Sequence, residues 1–273
     1  MNQIASMRRR DDDLIERQFV EDYSKFALQM NFLAIIALLE KARSISDPIK
    51  RKSICLTGLQ LLCSSYEDLA ILLHALLEKK DGRHLHLTLG VENQGKLGST
   101  LMPRIFKRFE SVQQMLDNFG FTSITKEMLS QYIDISEDIL KEHFQEIADG
   151  VRGLSEYQSR LKDYKNKLKH GKPVIESIEG KKAPDYVVFL KWRDDDGKAV
   201  LEMHFLEASI RQLETATIQV AKIYIQSLGL LWLFMLQYYP NHSEKYLNEI
   251  LVKYSQACID QVKALGLKSQ GLT

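Results

Sequence analysis

The chain is 273 residues long, with 37 lysines and arginines against 36 aspartates and glutamates and a formal net charge of +1. One large domain or two small ones fit that length with ample apolar content for a core. The even charge balance excludes a molecule that is basic throughout, so any nucleic-acid site has to be local. Cys55, Cys63 and Cys258 lack metal-ligand spacing, and two of them lie in apolar helical patterns. That argues against a metal or disulfide scaffold and for a reducing, cytoplasmic setting.

Met1 to Asp13 carries three arginines and then three aspartates with no apolar stretch, unlike a secretory signal. From Leu14 to Ala42 apolar residues recur at helical spacing through Phe19, Tyr23, Phe26, Met30, Leu33 and Ala37, without glycine or proline, which predicts one long helix. Asp47 as N-cap and Pro48 at the first helical position open a second helix, running through Leu77 to a stop at Lys79-Lys80-Asp81-Gly82. The short link makes the two an antiparallel helical hairpin. Residues 81–102 hold Gly82, Gly90, Gly95 and Gly98 around an alternating His84-Leu85-His86-Leu87 and read as a flexible loop. Shorter helices follow near 103–118, 125–148 and 152–170, the last stopped by Gly171 and Pro173.

Tyr186 to Trp192 and Ala199 to Phe205 alternate and flank Asp194-Asp195-Asp196-Gly197, predicting a β-hairpin inserted near 186–206. Two long helices close the chain, one over 207–238 before Pro240 and one from an Asn241 or Ser243 cap to about Leu265, before Gly266. The uncharged run Ile223 to Tyr239 is interrupted by Gln226 and Gln237. It falls short of the roughly twenty apolar positions that a membrane crossing wants and reads as a buried central helix. The expected fold is mainly α, a helical bundle built on long antiparallel helices in a single domain, 1–273, with no membrane partner.

Two stretches invite a chemical reading. Gly90-Val91-Glu92-Asn93-Gln94-Gly95-Lys96-Leu97 matches the glycines and lysine of a phosphate-binding loop. Leu97, however, stands where a Ser or Thr hydroxyl would bind magnesium, and no alternating strand and helix pattern surrounds it, so a glycine-rich connector is the simpler reading. His84 and His86 share a strand face without a third ligand, which is no metal site. Glu67 and Asp68 could orient a basic partner or simply edge a polar face, and Trp192 and Trp232 read as packing groups.

The most basic stretch holds Lys162, Lys165, Lys167, Lys169 and Lys172 against Asp163. Its helix carries an apolar stripe of Leu154, Tyr157, Leu161, Tyr164 and Leu168. At about 100° per residue, His170 falls on the far side from that stripe with Asn166 and Asp163, while Lys162, Lys165 and Lys169 flank it. The lysines are therefore candidate phosphate contacts. A plainer reading stays open: a histidine suits the negative end of a helix, and lysine stems cover an apolar edge.

The helix end Tyr164-Lys165-Asn166-Lys167-Leu168-Lys169-His170-Gly171 resembles the signature of the HEPN superfamily (higher eukaryotes and prokaryotes nucleotide-binding). These helical-bundle proteins are marked by an arginine, often a polar residue such as asparagine, a few further residues, and a histidine at a helix end. Asn166 and His170 match. Lys165 stands where the family has arginine, which removes planar bidentate contact with phosphate. The N-terminal helical hairpin resembles the family's architecture as well.

The resemblance implies RNA as partner and metal-independent cleavage without a cofactor, in a toxin or defence system. His170 would be the proton-transfer group, Lys165 the cation that stabilises charge on phosphate, and Asn166 the accompanying polar residue. It also implies a homodimer, with the composite site formed between two protomers. On one ideal helix Lys165 and His170 lie about 140° apart, so a second protomer or a loosened last turn has to bring them together. The alternative is a catalytically inactive helical interaction or scaffold module with a protein or RNA partner.

Overall fold

The computed structural model describes residues 13–80, 84–85, 89, 111–132, 136, 138–147, 149, 174–175, 177–178, 181–182, 186–195 and 198–268, with the backbone alone over 174–206. The chain is mainly α. It clusters into two units, the first comprising Met1–Met30, Ser65–Ser155 and Ala221–Thr273, the second Asn31–Ser64 and Glu156–Val220. Each is assembled from non-contiguous segments, so no single linker divides the sequence.

Residues 13–22, the π-turn Tyr23–Ala27 and the α-helix Leu28–Ser44 run as one unbroken helix, α1. Its buried side differs from the line of apolar residues that the spacing picks out. Val20, Phe32, Ile35, Leu39 and Ala42 are buried, whereas Phe26 is 68% exposed, Met30 64% and Leu33 40%. The stretch 26–39 is apolar nearly all round, so periodicity offers two faces and cannot rank them. The second helix, α2 (Pro48–Lys80), begins where expected. Asp47 Oδ1 accepts the Ile49 and Lys50 N–H groups at 2.9 and 3.2 Å, satisfying donors that the first turn leaves open.

In the first unit, Ser24 donates to the Val20 carbonyl at 2.7 Å and lies 2.6 Å from the Tyr246 hydroxyl. α3 (Val112–Asn118) starts at Ser111, whose Oγ accepts the Gln114 N–H at 3.2 Å. It ends at Gly120, at φ +90°, with the Phe121 N–H on the Leu116 carbonyl at 2.7 Å, a left-handed closure that favours glycine. α4 (Lys126–Ser130) and α5 (residues 138–147) stand where a single helix near 125–148 was expected. Thr125 Oγ1 caps the first at Met128 N–H and Ser136 Oγ caps the second at Ile139 N–H, so two start signals split one periodic stretch.

The core of the first unit is α6 (Ile210–Tyr238) beyond Val220, where Leu228, Leu230, Leu231, Trp232, Leu233, Phe234, Met235 and Leu236 are all buried. By length and composition α6 could cross a membrane, but 67% of its most apolar window is buried inside the protein. Gln237, which interrupts that run, bonds at both ends of its carboxamide: Nε2 donates to the Gly120 carbonyl at 3.0 Å and Oε1 accepts the Ser123 N–H at 3.3 Å.

α7 (Pro240–Tyr246), the π-turn Leu247–Val252 and α8 (Lys253–Ala264) follow. Tyr239 is the N-cap and Pro240 the first helical residue, so neither Asn241 nor Ser243 caps this helix. Proline's fixed φ and missing N–H suit that position, while Ser243 sits within the turn and donates to the Pro240 carbonyl at 2.8 Å. Gly266, at φ +71°, closes α8 with the Leu267 N–H on the Val262 carbonyl at 3.3 Å.

In the second unit α2 and the start of α6 approach closely at Gly58, where a Cβ would stand 2.1 Å from Leu213 Cδ1. Arg43 pairs with Glu214 at 2.6 Å. Ser209 Oγ accepts the Gln212 N–H at 3.1 Å and so caps α6. The strands β1 (Val174–Ile175), β2 (Ser177–Ile178), β3 (Lys181–Lys182), β4 (Tyr186–Asp195) and β5 (Lys198–Glu207) precede it. β4 and β5 pair antiparallel from Tyr186↔Glu207 to Asp195↔Lys198, β1 adds to β4 on its other edge, and β2 pairs with β3. Apart from residues 84, 85 and 89, the expected loop 81–102 lies outside the described residues, as does the expected helix 152–170.

Candidate functional site

The residues that the sequence marks for chemistry, Lys162, Lys165, Asn166, Lys167, Lys169, His170 and Lys172, lie outside the described residues, as does the loop Gly90 to Leu97. Among the described residues no group of three or more His, Cys, Asp or Glu could hold a metal ion. Cys55 and Cys258 are buried, and the Cys63 thiol donates to the Leu59 carbonyl at 3.0 Å. Burial pushes Cys258 up to about 12, which keeps it a protonated, unreactive thiol.

One constellation of ionisable groups stands within the first unit, around Glu16. It precedes Val20 by one turn and shares its buried side, so α1 carries a carboxylate inward at 0% exposure. Oε2 accepts from Lys79 Nζ at 2.6 Å and from the Tyr239 hydroxyl at 2.7 Å, and Oε1 accepts the Leu85 N–H at 2.5 Å. His84 Nδ1 stands 3.7 Å from Oε2. Lys79 is only 13% exposed, and its ammonium lies 5.4 Å from the centre of the Tyr238 ring. One residue along, Arg17 Nη1 is hydrogen-bonded to His242 Nε2 at 2.5 Å.

Burial by itself pushes the Glu16 carboxyl up. The Lys79 ammonium, the Tyr239 hydroxyl and the Leu85 amide outweigh it and hold the group below its ordinary 4.5. The Tyr239 phenol is pushed far up by burial and by its bond to the carboxylate, so it stays a donor. A general base has to turn a lone pair toward a substrate, and those of Glu16 face the protein's own donors. The cluster acts as an anchor that ties the start of α1 to the end of α2, to residue 85 and to the corner between α6 and α7.

None of the sequence motifs includes Glu16. The available signal was a carboxylate four residues before Val20 and eight before Ser24, on one side of a helix. Its partners lie 63, 69 and 223 residues away, beyond any spacing rule. Glu67 and Asp68 are half-buried, and the charge of Asp68 adds to burial in raising the Tyr23 phenol.

No family model, curated protein or solved structure matches the chain. Its function has to be argued from its own residues.

Proposed function

We propose that the chain is a HEPN-like RNA-binding protein that cleaves RNA without a metal, as a cytoplasmic homodimer belonging to a toxin or defence system. The observation that carries this reading is the run Lys165-Asn166-Lys167-Leu168-Lys169-His170 closed by Gly171, set in a mainly α chain. Neutral His170 takes the proton of a ribose 2′-hydroxyl, whose oxygen attacks the adjacent phosphorus. The bond to the 5′-oxygen breaks and that oxygen takes up the proton now held by the His170 imidazolium, leaving a 2′,3′-cyclic phosphate and a 5′-hydroxyl and returning the neutral imidazole. Lys165 stabilises the charge that develops on the phosphate, Asn166 supplies a polar contact, and Lys162, Lys167, Lys169 and Lys172 hold the backbone.

The test is RNA cleavage by the purified chain in the presence of EDTA. Cleavage is expected from the wild type, and His170→Ala lowers the rate by about a hundredfold or more. Equal rates for the two withdraw the assignment. A second reading, a catalytically silent interaction module, is favoured by the exposure of Phe26, Met30 and Leu33. It prevails when neither the wild type nor Lys165→Arg cleaves RNA while a protein or nucleic acid copurifies.

A further inference from the structure

Helix α1 is apolar on the side that the fold covers and again on the side that it leaves open. Phe26, Met30 and Leu33 are the exposed large residues there, and Ala37 continues their line. Steps of four, three and four residues keep all of them within one narrow stripe. A single unbroken helix carries them, so its own pitch fixes their spacing. Asp22 and Lys41, both exposed, stand at the two ends of the stripe. A helix that is apolar all round has to be covered on both sides.

We infer that this stripe is the seam of an antiparallel pairing with a second copy of the chain. Laid against its own reverse about a midpoint between Met30 and Leu33, the stripe is self-complementary, as a twofold contact requires. Met30 meets Leu33 of the second copy, and the Phe26 ring meets the small Ala37. The extra residue in the π-turn Tyr23–Ala27 turns Asp22 onto the same edge as Lys41, so the antiparallel arrangement sets each Asp22 beside the other copy's Lys41. Parallel pairing would instead set ring against ring and leave each Asp22 on the opposite edge of the seam from the other, far from any Lys41. The charges thus select the antiparallel orientation and a copy of the same chain as the occupant. This deepens the homodimer of the proposed function by naming its surface, and it needs no RNA.

Sedimentation velocity of the full chain over a range of concentrations tests it. The wild type associates to a dimer, and Met30→Glu weakens that association by more than about tenfold, because each copy would bury an unpaired carboxylate. Met30 is so exposed that the variant keeps the wild-type circular dichroism. Asp22→Lys weakens the dimer, and Asp22→Lys combined with Lys41→Asp restores it. A dimer untouched by Met30→Glu and Asp22→Lys sinks this surface and leaves the paired-copy reading standing. A chain that is monomeric at every concentration, alone or with a different protein bound to the stripe, sinks both. RNA cleavage is scored separately from all of these outcomes.

Discussion

Replacing Glu16 by glutamine keeps the shape of the side chain but leaves the Lys79 ammonium, 13% exposed, without its counter-charge. Breaking a buried pair in this way costs about 2–4 kcal/mol, which urea unfolding of Glu16→Gln at neutral pH measures. The pH dependence has a definite sign. The folded carboxyl ionises below its unfolded value of 4.5, so its contribution is complete above that pH and is lost as pH falls through the folded value. The stability of the wild type therefore declines more steeply than that of Glu16→Gln between neutral pH and the acid range. Parallel acid limbs for the two proteins would contradict the anchor.

At the level of elements, the glycines of the helices separate into different cases. Gly58 faces Leu213 so closely that any side chain collides. Gly58→Val is expected to lose about 2–3 kcal/mol by overpacking, and trimming Leu213 to alanine in the same chain recovers part of that loss, a coupling above about 0.5 kcal/mol in a double-mutant cycle. Gly229 meets nothing within 4 Å, so Gly229→Ala raises the thermal midpoint, worth about 0.5–1 kcal/mol. Helix starts were legible where one residue carries the signal, as at Asp47-Pro48, and so was the stop at Gly266. The break between α4 and α5 was harder to read, because Ser136 lies inside an unbroken apolar period. Pro240 looked like a stop and is also a start. The covered side of α1 could not be read at all, since both of its sides are apolar and only the rest of the fold chooses between them.

Across the whole molecule, burial concentrates in α6 beyond Val220, where Leu228 and residues 230–236 are shielded together. Hydrogen exchange should find its amides the slowest in the first unit and those of the exposed residues 13–15 among the fastest. Comparable rates in the two would refute that ranking. The mainly α class followed from periodicity, which is a local property. The run at 165–170 stands out because its residue types adjoin in sequence, whereas Glu16 meets its partners only through tertiary structure, and nothing in its neighbours hints at Lys79 or Tyr239.

The π-turn at Tyr23–Ala27 holds one residue more than ordinary α winding needs. Were it to relax to α geometry at constant length, everything upstream would swing by about 100° and offer Arg17 and Glu21 to the interior in place of Glu16 and Val20. A chain shortened by one residue within that turn could wind regularly with Glu16 and Val20 still sealed inside. This is where natural length variation in α1 should be tolerated, since one residue can be taken up or given back there without re-aiming the core's side chains.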